Sequence, residues 1–144
     1  MRRIVEVAAL ALIIGAGVAF AKQGVKDPGV KQRMETMDAM ALNLKLLANM
    51  AAGKMDFSAA DAAAAKAAVL AAAKQVPEVF KVHHADPASD ALPVIWTQWD
   101  DFTKRADANR MAVELIDTDT QDGLQTSLGG LAKTCKACHE TYRQ

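Results

Sequence analysis

Much of what marks enzymes, nucleic-acid binders and membrane proteins is missing from this 144-residue chain. Cysteine occurs only twice, at Cys135 and Cys138. Neither sign of charge prevails, with 17 basic and 17 acidic side chains, and no basic patch is large enough to suggest nucleic acid. No alternating strand pattern and no internal repeat is visible. No nucleophile–base constellation appears, so an enzyme is not expected. The one long apolar run, Val7 to Phe20, is short for a membrane span, is interrupted by Gly15 and Gly17, and gives way to polar sequence at Lys22.

That run instead fits a processing signal. Arg2 and Arg3 supply a positive start, and Ala19-Phe20-Ala21 supplies the small-x-small cleavage pattern. Residues 1–21 are expected to be a signal peptide cleaved after Ala21, and 22–144 a single exported domain; an uncleaved anchor is the alternative. Without Arg2, Arg3 and Glu6 the charge balance tips by a single negative charge.

The two cysteines stand in Cys135-Lys136-Ala137-Cys138-His139. Two thiols three residues apart with a histidine directly after the second read as a c-type haem attachment site. Each thiol can add to a vinyl group of the porphyrin, and the adjacent imidazole can reach the iron. On a helix, positions i, i+3 and i+4 share a face, so all three side chains address one porphyrin. A zinc half-site would need further ligands nearby, and a thioredoxin-like thiol pair would need alternating strands and helices; neither is visible. Attachment uses reduced thiols and leaves neither for a disulfide.

The rest of the chain reads as helices. Lys22 to Val30 is a polar leader broken by Gly24, Pro28 and Gly29. Lys31 to Ala52 has neither proline nor glycine, and Met34, Met37, Ala41, Leu44 and Ala48 recur at helical steps before Gly53 stops the run. Ser58 and Asp61 resemble a capping box opening a second, alanine-rich helix that is expected to end near Gln75, ahead of Pro77. Lys81 to Leu92 is the longest loop, and His83 and His84 within it are expected to be solvated. A third helix is expected from Pro93 to about Ile116, burying Val94, Trp96, Trp99, Phe102, Ala106 and Leu115. A fourth opens at Thr118 and Gln121 and ends near Arg143. Gly129-Gly130 inside it reads either as a site of close approach by a macrocycle or backbone, or as a break between two shorter helices. Four helices on short connections predict an all-α, antiparallel four-helix bundle enclosing the haem.

With these features in view, the chain resembles the class II c-type cytochromes, the cytochrome c prime family, whose members are themselves four-helix bundles. The resemblance rests on the C-terminal Cys135–His139 motif followed by Glu140-Thr141-Tyr142-Arg143, on Ile95-Trp96 with Phe102, and on Arg33 with Met37. It implies one covalent haem c per chain, held by Cys135 and Cys138, with His139 as proximal iron ligand. It places Arg33 near the haem propionates, Trp96 beside the macrocycle and Arg143 at the proximal face. It implies a periplasmic protein with redox partner proteins. It also implies a homodimer through the first two helices, with Leu42, Leu46 and Leu47 available either to that surface or to the core.

The sixth coordination position decides between two functions. Asn43-Leu44-Lys45 also resembles the periplasmic b-type four-helix cytochrome, whose ligand methionine lies seven residues before the leucine. That spacing selects Met37, with Met34 and Met40 as competitors. A methionine ligand implies a low-spin electron carrier. The alternative is a five-coordinate, high-spin protein whose vacant site takes nitric oxide or carbon monoxide as a diatomic gas ligand.

Overall fold

The computed structural model describes residues 24–144. The expected signal segment, 1–21, and the first two residues of the mature leader therefore lie outside the described residues. Within them the chain forms four long helices and one short one: α1 (Pro28–Ala51), α2 (Ala59–Phe80), α3 (Val94–Thr97), α4 (Trp99–Glu114) and α5 (Gln121–Tyr142). The long helices form the expected bundle. α1 packs mainly on α2 and also on α5, while α4 packs on α2 and α5. No strand occurs among the described residues; an isolated antiparallel bridge joins Ala91 to Arg143.

α1 starts three residues earlier than the leader reading allowed. Asp27 caps it by accepting the Val30 N–H at 2.9 Å, and Pro28 occupies the first turn, where no amide partner is lost. Gly29 belongs to that first turn because the His84 ring lies where its Cβ would be. His84 is thus not simply solvated: its Nδ1 lies 3.1 and 3.2 Å from the two carboxylate oxygens of Asp27. His83 stacks on Trp96, ring centroids 4.0 Å apart. At the other end Gly53 adopts φ +65°, and the amides of Gly53 and Lys54 bond back to the Met50 and Asn49 carbonyls. That left-handed close is the reason glycine stands there.

Ser58 caps α2 as expected, accepting from the Asp61 amide at 3.2 Å. The helix does not stop before Pro77, however, but continues to Phe80. Proline removes one amide donor, yet Val76 and Phe80 on either side of it are both buried, and that burial favours keeping the last turn helical. The expected third helix is instead two, parted at Gln98 (φ −119°, ψ 42°). The break lets Ile95 point into the core from α3 while α4 buries Phe102, Ala106, Asn109 and Val113 at steps of four, three and four. Ile116 continues that stripe; Leu115, expected inside, is 79% exposed. α5 is capped by Thr120 rather than Thr118, through the Gly123 amide at 3.0 Å. It runs unbroken through Gly129 and Gly130, and a Cβ on either would meet nothing within 4 Å. Neither a break nor a close approach of protein backbone explains them.

Two apolar clusters result. One gathers Leu47, Met50, Val69, Val113, Ile116 and Leu131 from all four long helices. The other gathers Val76, Phe80, Ile95, Phe102, Ala106 and Tyr142. Of the three leucines weighed for a dimer surface, Leu47 is fully buried in the first cluster, Leu46 is packed against it and Leu42 is 70% exposed.

Candidate functional site

A cavity of about 370 Å³ opens among the four long helices and the loop before α3. Its size falls in the range of roughly 300–1,000 Å³ usual for small-molecule and cofactor sites. α5 gives its wall Leu131, Cys135, Cys138, His139 and Tyr142, one face of the helix by their spacing. α1 gives Met34, Met37, Met40 and Leu44; α2 gives Val69, Val76 and Phe80; α4 gives Phe102, Ala106 and Asn109. The bundle thus brings the two thiols, the imidazole and all three competing methionines to one cavity. Met37 and Cys138 pack against the same apolar cluster.

The donor set suits a covalently held haem. No disulfide joins the two cysteines. Burial pushes both thiols up from their ordinary value; the Asn109 amide opposes this at Cys135, and Arg105 opposes it at Cys138. Thiols that stay protonated near neutral pH are poor redox nucleophiles, which counts against a thiol oxidoreductase. Burial, and secondarily Arg143, push the His139 imidazolium down, favouring the neutral ring that can bind a metal. Among the described residues no group of three or more histidine, cysteine or acidic side chains is placed to hold a bare metal ion. A zinc site therefore has no ligand set, whereas two thiols, an imidazole and a wide apolar wall fit the haem.

The residues expected around the haem also bond to the protein itself. Arg33, expected at the propionates, is only 3% exposed and uses its fork on the end of α2. Its Nε donates to the Val79 carbonyl and Nη1 to that of His84, both at 3.1 Å, and Nη2 donates to that of Val82. The guanidinium lies over the rings of Phe80 and Trp96, 5.0 and 4.8 Å from their centroids. It touches the cavity, but its bonding is that of a clamp on carbonyls left without helical partners. Trp96, expected beside the macrocycle, is not part of the cavity wall. Its Nε1 donates to the Phe80 carbonyl at 2.8 Å, placing the indole behind Phe80. Arg143 does reach the wall, paired with Asp90 at 2.9 Å. That pair sits on a short clasp in which the Leu92 and Gln144 amides bond the Tyr142 and Asp90 carbonyls.

Two further wall residues were not among those expected from the sequence. Asn109 donates to the Cys135 sulfur at 3.2 Å from within an otherwise apolar stripe. Arg105 pairs with Asp101 at 2.6 Å, donates to the Ala137 carbonyl at 2.7 Å, and lies over the ring of Tyr142. Tyr142 in turn donates to Asp101 at 2.6 Å, and burial with that bond pushes its hydroxyl up to about 12. A polar residue at helical spacing could have flagged Asn109. Nothing short of the fold could have named its partner.

Comparison with known proteins agrees with this wall. Residues 29–143 match the family model described as Cytochrome C′. Cytochrome c-556 of Agrobacterium fabrum is 34% identical over 119 residues, 79% of this chain and 80% of that one. Cytochrome c′ of Pararhodospirillum photometricum is 28% identical over 120 residues, 80% and 95% of the two chains. The solved structure of cytochrome c′ from Rhodobacter spheriodes superposes with a TM-score of 0.69 at 28% identity, covering 80% of this chain and 94% of that one. By these matches the chain belongs to the cytochrome c′ family, and its cofactor is a single covalently bound haem c.

Proposed function

We propose that the protein is an exported, low-spin electron carrier in which Cys135 and Cys138 hold the haem, His139 is the proximal ligand and Met37 is the sixth. When bound, the haem supplies a one-electron Fe(III)/Fe(II) couple. The chain's own residues set the conditions for it. His139 offers a neutral imidazole beside the second thiol, and burial keeps it in that form. Met37 offers a thioether, a weak donor that favours the ferrous state and so raises the potential. Val69, Val76, Phe80 and Leu131 line the cavity with apolar surface that disfavours water. Arg143, neutralised by Asp90, keeps a paired rather than a bare charge at the rim.

The observation that carries this reading is that Met37 lines the same cavity as His139, one step from Met34 and Met40. Substitution separates the three. Met37→Ala should lower the reduction potential and let carbon monoxide bind, while Met34→Ala and Met40→Ala leave both unchanged. Equal effects in all three variants would reduce Met37 to packing. Carbon monoxide uptake by the wild-type protein without loss of a ligand would establish the gas-binding alternative.

Export belongs to the same reading. Cleavage after Ala21 releases residues 22–144 into the periplasm, where c-type attachment and redox partner proteins are found.

A further inference from the structure

Asn109 is one of three polar or charged side chains buried in the bundle, at 8% exposure, and electron carriage as described above does not use it. Its Nδ2 donates to Thr134 Oγ1 at 3.1 Å and to Cys135 Sγ at 3.2 Å. The direction of the amide follows from Thr134. That hydroxyl gives its proton to the Leu131 carbonyl at 2.8 Å, so its oxygen has only a lone pair left for Asn109. The NH₂ end must therefore face it, and the second N–H is aimed at the sulfur. Placing an amide in a stripe otherwise made of Phe102, Ala106 and Val113 costs free energy unless its partners are right. Among the described residues no side chain donates a hydrogen bond to Cys138, which packs against the cluster holding Phe80 and Phe102.

This asymmetry has a chemical use. In attachment the Cys135 S–H adds across a vinyl C=C: a C–S bond forms, the thiol proton ends on the neighbouring vinyl carbon, and no electrons are lost or gained. A thiol sulfur can donate or accept a hydrogen bond, but the thioether sulfur can only accept. A fixed N–H donor is therefore the partner that suits the attached sulfur. We propose that Asn109 is a positioning residue for the haem, donating to the Cys135 sulfur once the bundle has folded around the attached ring and thereby fixing how the ring is seated. The proposal rests on attachment at Cys135 as given above.

The test uses the exported full chain and reads the seating rather than electron transfer. Asn109→Leu removes the donor at similar volume, and Asn109→Asp keeps the shape but removes the N–H. Val113→Ala, on the same helix, fully buried and outside the cavity wall, controls for packing. Mass measured after denaturation reports whether haem is held at both cysteines. The proton resonances of the haem methyl groups in the folded, oxidised protein report the seating. Both Asn109 variants should keep covalent haem and redistribute the methyl shifts, whereas Val113→Ala lowers the melting temperature and leaves the shifts in place. Thr134→Val, which removes the oxygen that aims the amide, should move the same resonances by a smaller amount; it decides the matter if the Asn109 variants do not accumulate. Unchanged shifts in Asn109→Leu, or in Thr134→Val where only that variant folds, overturn the proposal. So does a Val113→Ala shift as large as that of Asn109→Leu. Wild-type protein with no haem linkage at Cys135 by mass would instead overturn the attachment reading beneath it.

Discussion

Arg33 carries a full positive charge into the bundle, and one carbonyl in the last turn of α2 and two in the loop after it, together with two aromatic faces, offset the burial. A planar fork can serve three oxygens at once; an ammonium cannot reproduce that geometry. Arg33→Lys and Arg33→Met should therefore each lose about 3 kcal/mol of stability in denaturant unfolding, with haem still attached. A Lys variant as stable as the wild type would show that the charge alone suffices. Acid should weaken the same corner. Asp27 is held below its ordinary value of 3.8, first by the Val30 amide and then by His84, against an opposing effect of burial. Asp86 is held low by the Ala88, Asp27 and Lys26 amides. A carboxyl depressed in the folded state adds stability above its unfolded value, and that stability is lost as pH falls through the folded one. Melting temperature should accordingly drop below about pH 4, and Asp27→Asn should flatten that drop; an unchanged acid limb in the variant would contradict it. At this scale the haem motif was legible because its spacing is its chemistry. The roles of Arg33, Trp96 and Asn109 were not, because their partners lie 46, 16 and 26 residues away in the chain.

Helices were legible where local chemistry ends them and illegible where burial overrides it. Ser58 and Gly53 act through their immediate neighbours, so their roles could be read directly. Pro77 argued for an end to α2, but buried Val76 and Phe80 carry the helix past it. The break at Gln98 has no glycine or proline of its own, and Ile116, three residues after Val113, stays on the buried stripe while Leu115 falls off it. Gly129 and Gly130 lie exposed in an unbroken helix with open space where each Cβ would be. Replacing either by alanine should stabilise the protein by about 0.5–1 kcal/mol, read as a higher melting temperature. Gly29→Ala should do the reverse, because its Cβ would enter the His84 ring. A destabilising Gly129→Ala would mean that something besides protein occupies that face.

At the scale of the molecule, the described residues form four long helices arranged so that thiols, imidazole and methionines meet at a cavity too wide for their side chains to fill. A bundle so built should depend on its cofactor. Residues 22–144 made in a cytoplasm should be colourless and poorly folded, judged by cooperative unfolding; a stable, well-packed apo-protein would refute that dependence. The bundle and its covalent haem were legible in the sequence through helical periodicity and one motif. Whether a methionine faces the iron, and which, was not, since Met34, Met37 and Met40 all reach the wall and methionine also serves as a core filler. The spectrum of the oxidised wild-type protein tests this directly. If Met37 completes the coordination begun by His139, the iron is low-spin and shows the weak near-infrared charge-transfer band of methionine–haem ligation, and that band disappears in Met37→Ala alone. A high-spin wild-type spectrum without the band would contradict the electron-carrier account.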